Sequence, residues 1–154
     1  IASGYTAVLD PEKTKFVYRD ALWCGADLIG LGVASFSHAA GVHYQNITEI
    51  DTYLAAINAG EMPIKRAFRT SPEELMIREF ILQMKLGRVV LGYFTEKFGV
   101  DIAQRFAREL EHLAAEGLLT VSASEVRLSR DGLLCVDNLL HEFFLPQHRT
   151  SQIV

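Results

Sequence analysis

Three apolar stripes at helical spacing, each cut off by a glycine, set the tightest limits on the fold. Ser71-Pro72-Glu73-Glu74 is a helix start, with a capping hydroxyl, proline at the first position and glutamates in the first turn. The stripe behind it takes in Leu75, Ile77, Ile81, Leu82, Met84 and Leu86, and Gly87 ends it. A short second helix spans 90–98 and closes at Gly99. Asp101 caps a third, with Ile102, Phe106, Leu110 and Leu113 inward as far as Gly117. Residues 118–122 and 126–129 read as short strands around Ala123-Ser124-Glu125. A last helix covers 130–144, with Leu133, Leu134, Val136, Leu139, Leu140 and Phe143 inward. Three helices, a small hairpin and another helix is the order of a winged-helix domain.

The first half is less regular. Ser3 to Leu9 alternates polar and apolar residues and predicts a strand, and Asp10-Pro11-Glu12-Lys13 a turn. Residues 16–24 suit either a short helix or an extended crossing. Asp27 to Val33 predicts a second strand. Gly30 and Gly32, two apart, leave one of its faces bare, so another backbone, a ring or a ligand must approach there. Ser35, Ser37, His38, His43, Tyr44, Gln45 and Asn46 then crowd what reads as a polar loop. Thr48 is the expected cap of a helix bearing Ile50, Tyr53, Leu54 and Ile57, which Gly60 stops. A connector at 61–64 predicts a domain boundary that divides the chain into residues 1–62 and 63–154.

Hydrophobic residues make up 49% of the 154, enough for a real core, so disorder is excluded. The formal charge of −4 gives no general attraction to nucleic acid or anionic lipid. No apolar run reaches the roughly 20 residues that span a bilayer, so no membrane association is expected. The chain opens on Ile1, already inside an apolar stretch, and is expected to be a piece of a longer protein. Its two cysteines, Cys24 and Cys135, are too few to hold an iron–sulfur cluster by themselves. They suit a reducing cytoplasm.

A winged helix invites a DNA-binding reading, with the third helix as reader. Its exposed face would carry Gln104, Arg105, Arg108, Glu109, Glu111, His112 and Glu116. Residues 71–128 hold seven basic and nine acidic side chains, and phosphate contacts need cations in excess. Nucleic acid is therefore not an expected partner. A non-catalytic winged-helix interaction module or DNA-binding regulator stands as the alternative function.

The run FVYRDALWCGADLIGLGVASFSHAAGVHYQN, Phe16 to Asn46, resembles the downstream part of the oxygen-independent coproporphyrinogen III oxidase family of radical S-adenosylmethionine (SAM) enzymes. The resemblance is carried by Trp23, by Ala26-Asp27-Leu28-Ile29-Gly30-Leu31-Gly32, by the short Ala/Ser run after it and by Tyr44-Gln45-Asn46. The helix at 48–60, Pro63, the helix at 73–87, the Gly117 region and GLLCVDNLLHEFF extend it over nearly the whole chain. The VASFSH version is most similar to the haem-utilisation branch.

The resemblance implies an α+β architecture. A short antiparallel strand piece from a truncated radical-SAM barrel sheet, residues 1–62, precedes a mainly helical, winged-helix-like C-terminal domain, residues 63–154. It implies an oxidoreductase of porphyrin or haem metabolism, with SAM and a 4Fe-4S cluster in the parent protein and a tetrapyrrole as substrate. The family's CxxxCxxC loop and glycine-rich SAM segments are not in this chain. By itself it is therefore expected to cover the substrate cleft without catalysis, and to bind neither cofactor nor metal. By position, Val33, Ala34 and Ser35 would lie near the cofactor, and Ser37, His38, His43 and Tyr44 near the substrate's carboxylates or, as a lesser alternative, its iron. Ordinary loop hydrogen bonding is the plainer reading of His38 and His43. Lys65, Arg66 and Arg69 follow as candidate anion partners, with a solvated connector as the plainer reading. Strands cut from their parent sheet are expected to pair between copies, giving a homodimer.

Overall fold

The computed structural model describes residues 6–10 and 13–149. The chain divides into two compact units: Gly25–Leu75, and the residues before and after it together. This division by contacts falls after residue 75, whereas the expected domains divide after residue 62. Residues 64–69 are not part of a connector; they form a strand that pairs with the hairpin before it.

Of the strand expected at 3–9, the first three residues lie outside the described ones; Thr6 makes an isolated bridge and 7–10 are irregular. The turn expected at 10–13 has Pro11 and Glu12 outside the described residues, and Thr14 N–H donates to Asp10 O at 3.1 Å. Residues 16–24 resolve as a helix, α1 (Val17–Trp23).

The polar loop expected after Val33 is a β-hairpin. Strands β1 (Phe36–Ala39) and β2 (Val42–Asn46) pair antiparallel across a two-residue turn. Ala40 and Gly41 both have positive φ, 50° and 72°, as a type I′ turn requires. The strand expected at 27–33 is an extended segment with one bridge, Leu28 to His38. Helix α2 (Ile50–Asn58) follows. Its cap is Glu49, without a side-chain bond; Thr48 instead bonds the Glu49 carboxylate and accepts from Lys65. Gly60, at φ 73°, ends it: Gly60 N–H donates to Ile57 O and Glu61 N–H to Ala56 O, a Schellman closure. Strand β3 (Ile64–Arg69) completes a sheet of order β1-β2-β3, with a register shift between Gln45 and Asn46.

Helix α3 (Pro72–Met84), whose first residues close the 25–75 unit and whose remainder belongs to the other, starts on a full capping box. Glu74 N–H donates to Ser71 Oγ at 3.2 Å and Ser71 N–H to Glu74 Oε2 at 2.8 Å. Its buried face is Met76, Ile77, Glu79, Phe80, Gln83 and Met84. The expected stripe missed Phe80, whose ring meets those of Phe94, Phe106 and Phe143 at 5.0–5.9 Å. Strand β4 (Arg88–Val90) takes Val90 from the expected second helix, which is α4 (Leu91–Phe98). The expected third helix breaks at Phe106 into α5 (Ile102–Arg105) and α6 (Ala107–Ala115). Asp101 caps it as expected, accepting from Gln104 N–H at 3.0 Å, and all four residues of its stripe are buried. Strands β5 (Leu119–Val121) and β6 (Glu125–Leu128) join β4 in a sheet of order β4-β6-β5. The last helix is three short pieces: α7 (Arg130–Leu134), α8 (Val136–Leu139) and a 3₁₀ turn at 140–143, before α9 (Pro146–Arg149). Leu134, expected inward, is 64% exposed at the last position of α7, before the break at Cys135.

Candidate functional site

Gly30 and Gly32 have different reasons to be glycine. A Cβ on Gly30 would lie 2.4 Å from the Phe36 carbonyl oxygen, so what approaches its face is backbone, not a ring or a ligand. Gly32 has room but sits at φ 90°, which only glycine adopts freely. Gly30 N–H donates to Ser37 Oγ at 3.0 Å, and Gly32 N–H to the Tyr53 hydroxyl at 3.1 Å. Asn46 Nδ2 donates to both glycine carbonyls, at 3.1 and 3.0 Å. Ser37 and Asn46 are buried, 1% and 5% exposed. The crowding of polar residues is thus explained in part by the extended segment, whose backbone groups they satisfy.

The segment ends in a turn over 32–34. Ala34 has φ 59°, a left-handed conformation costly for any residue with a Cβ. It is held from several directions: Ala34 N–H donates to Ile47 O at 2.9 Å, Gln45 Nε2 donates to Ala34 O at 3.2 Å, and Ser35 Oγ donates to Leu31 O at 2.6 Å. Such over-determined strain clusters at functional positions. Val33 at the tip is exposed, as are Ile29 and Leu31 before it.

The register sorts the hairpin's side chains onto two faces. Phe36 opposes Gln45 and Arg66, and His38 opposes His43 and Phe68, so these six share one face. Ser37, Tyr44 and Ala67 share the other. The four residues expected at substrate are therefore split, the histidines on one side and Ser37 with Tyr44 on the other. On the histidine face, Phe36 and His43 stack with centroids 5.6 Å apart and planes 12° from parallel. His38, buried, lies at 6.0 Å from His43. The Arg66 guanidinium sits 6.0 Å from the Phe36 centroid, and its Nε donates to Gln45 Oε1 at 2.8 Å. Phe36 and Phe68 are 42% and 49% exposed. This is a flat, open, aromatic surface edged by a positioned cation. Lys65 is engaged with Thr48 and Glu49, while Arg69 lies on the opposite face, beside Val42. Phe36 and Phe68 were not singled out as site residues, nor was Tyr53, and Arg66 only as a candidate anion partner. Alternation across Ala40-Gly41 was the signal for a hairpin, and the hairpin register would have found Phe36; Arg66 and Phe68 depend on the pairing of β3.

Residues 70–135 match the HemN C-terminal domain family. The oxygen-independent coproporphyrinogen III oxidase of Helicobacter pylori is 32% identical over 120 residues, which is 75% of this chain and 26% of that protein. The chain belongs to the oxygen-independent coproporphyrinogen III oxidase-like family. The Pseudomonas aeruginosa oxidase of the same name is 27% identical over 138 residues, 83% of this chain and 30% of that one. The heme chaperone HemW of Bacillus subtilis is 25% identical over 122 residues, 79% and 32% of the two chains. Coproporphyrinogen III oxidase (HemN) from Escherichia coli, a radical SAM enzyme, shares the fold with a TM-score of 0.64 at 22% identity, over 76% of this chain and 28% of that one. The chain thus spans about a quarter to a third of the length of these relatives.

The residues present do not fit an iron–sulfur cluster. The chain has two cysteines, and among the described residues no three His, Cys, Asp or Glu side chains come together as metal ligands. No helix among the described residues is long and apolar enough to cross a membrane.

Proposed function

We propose that this chain is the C-terminal part of a radical SAM oxidoreductase of the coproporphyrinogen III oxidase type, and that it contributes one wall of the substrate cleft. The carrying observation is an alignment with named oxidases that runs beyond the C-terminal domain, over 75–83% of this chain. SAM and a 4Fe-4S cluster belong, on this reading, to the part of the protein that carries the cluster thiolates; bound there, they would supply the oxidising radical. Within this chain, Val33, Ala34 and Ser35 would face the cofactor, with exposed Val33 giving an apolar contact for a nucleoside. His43 and Arg66 would meet the substrate's ring and carboxylates, backed by Phe36 and by buried His38. Tyr44, on the opposite face, and Ser37, whose hydroxyl accepts from Gly30, are the weaker members of that set. Residues 1–62, with β3 added, would be the end of the catalytic domain.

The order α3, β4, α4, α5–α6, β5, β6, with β4 beside β6, supports the winged-helix reading of the rest. The exposed side of α6 lines a groove of about 470 Å³ with Arg108, Glu109, His112, Glu142 and Arg149, a mixed set that gives no phosphate-binding surface. One edge open to self-association is the outer side of β3. Lys65, Arg66 and Arg69 would set like charges against each other there, which works against it.

The test is a titration of this chain with coproporphyrin, read by its visible absorbance, beside His43→Ala and Arg66→Ala. A saturable shift weakened in both variants is the expected result. An unchanged spectrum, or one that both variants leave intact, would remove the substrate contacts from this face.

A further inference from the structure

Gln45 touches both halves of the candidate site. Its Nε2 donates to the Ala34 carbonyl at 3.2 Å, and its Oε1 accepts from Arg66 Nε at 2.8 Å. A guanidinium only donates and a backbone carbonyl only accepts, so the amide is held one way round with both ends in use. A carboxylate of the same length would lack the donor.

The anchoring end rests on a turn that backbone fixes. Ala34 N–H donates to Ile47 O and Asn46 N–H to Ser35 O, each at 2.9 Å, and neither bond needs the side chain at 45. The other end meets Arg66 beside a bulge. Gln45 pairs with Arg66 and Asn46 with Ile64, which leaves Lys65 as the extra residue on β3. A bulge re-aims the side chains around it. Lys65 turns to Thr48 and Glu49, while Arg66 keeps its guanidinium near the Phe36 ring.

An exposed arginine is long and rotates freely unless something holds it. Here Nε is committed to Gln45, and among the described residues the two terminal nitrogens have no hydrogen-bond partner. The end-on pair of donors is left for a carboxylate.

We propose that Gln45 is a positioning residue: from its anchor on the Ala34 carbonyl it fixes the Arg66 guanidinium so that the terminal nitrogens meet a ligand carboxylate. This rests on the reading of the face as a wall of the substrate cleft. In the competing account Gln45 braces the hairpin and acts on binding without Arg66.

A double-substitution cycle separates the two. The parent chain, Gln45→Met, Arg66→Ala and the two changes together are titrated with coproporphyrin. Methionine keeps the length of the side chain and removes both bonds. The expected result is several-fold weaker binding in Gln45→Met, and no further loss when the same change is made in Arg66→Ala. Equal weakening in both backgrounds would overturn the proposal, and so would binding that Gln45→Met leaves intact. A second arm needs no porphyrin. NMR relaxation of the Arg66 Nε–H should report an ordered group in the parent and a mobile one in Gln45→Met. Equal order or equal mobility in the two would overturn the hold on Arg66. A parent chain that takes up no coproporphyrin, with Arg66 ordered through Gln45, would bring down the substrate reading and leave that hold standing.

Discussion

Glycine at position 30 is a matter of space. A methyl group there would meet the Phe36 carbonyl at 2.4 Å and Ser35 Cβ at 2.9 Å, and neither is the end of a flexible side chain. Gly30→Ala should therefore push the extended segment off β1, breaking the Ser37 and Asn46 bonds with it, at a cost of about 1–3 kcal/mol. Limited proteolysis at 27–34, with the parent chain alongside, would register the loss; equal cleavage rates would contradict it. The sequence carried half of this point. Two glycines on one face announced a close approach, but not what approached. A neighbour across a sheet is set by pairing register, which depends on residues far along the chain.

At the scale of elements, what was legible depended on local chemistry. The capping box at Ser71, the Asp101 cap and the stripe of Ile102, Phe106, Leu110 and Leu113 all formed, because each is written within one or two turns. Breaks at Phe106 and Cys135 were not legible, since packing against the rest of the unit imposes them. Nor was β4, three residues whose partner β6 lies more than thirty positions on. That pairing carries a charge arrangement of its own. Arg127 and Arg88 oppose each other across β4 and β6, and Glu125 bonds both, at 2.9 and 2.5 Å. Hydrogen bonds from Arg127 and then Arg88 hold the Glu125 carboxyl below its ordinary value. A carboxyl lowered in the folded state contributes stability above its unfolded value and loses it as pH falls through the folded one. Amides of β4 and β6 should therefore lose protection on acidification below the usual carboxylate range. In Glu125→Gln that acid-dependent part should be missing, and an identical pH profile in the variant would refute the assignment.

Across the whole molecule, the two units are built on different principles. Among the described residues, the unit around α3 buries seventeen apolar ones, Phe80 among them. In residues 25–75 the buried side chains are Ser37, His38 and Asn46, all polar. Its apolar residues face outward: Phe36 and Phe68 on the sheet, Ile50, Leu54 and Ile57 on α2, Leu31 and Met62 on the connections. Apolar burial is the main favourable term in folding, and each hydrogen bond adds only about 1 kcal/mol net. The hairpin unit therefore depends on its bonds and its turn, and its local opening free energy should sit far below that of its neighbour. Hydrogen exchange on the intact chain should show amides of β1, β2 and β3 exchanging orders of magnitude faster than those of α3, α6 and β6 near neutral pH. A single cooperative transition, with both units protected alike, would mean that the exposed faces are covered in solution. The same property explains why the candidate site was the hardest part to read. A sheet whose apolar side chains point outward offers no buried pattern from which sequence could place its faces.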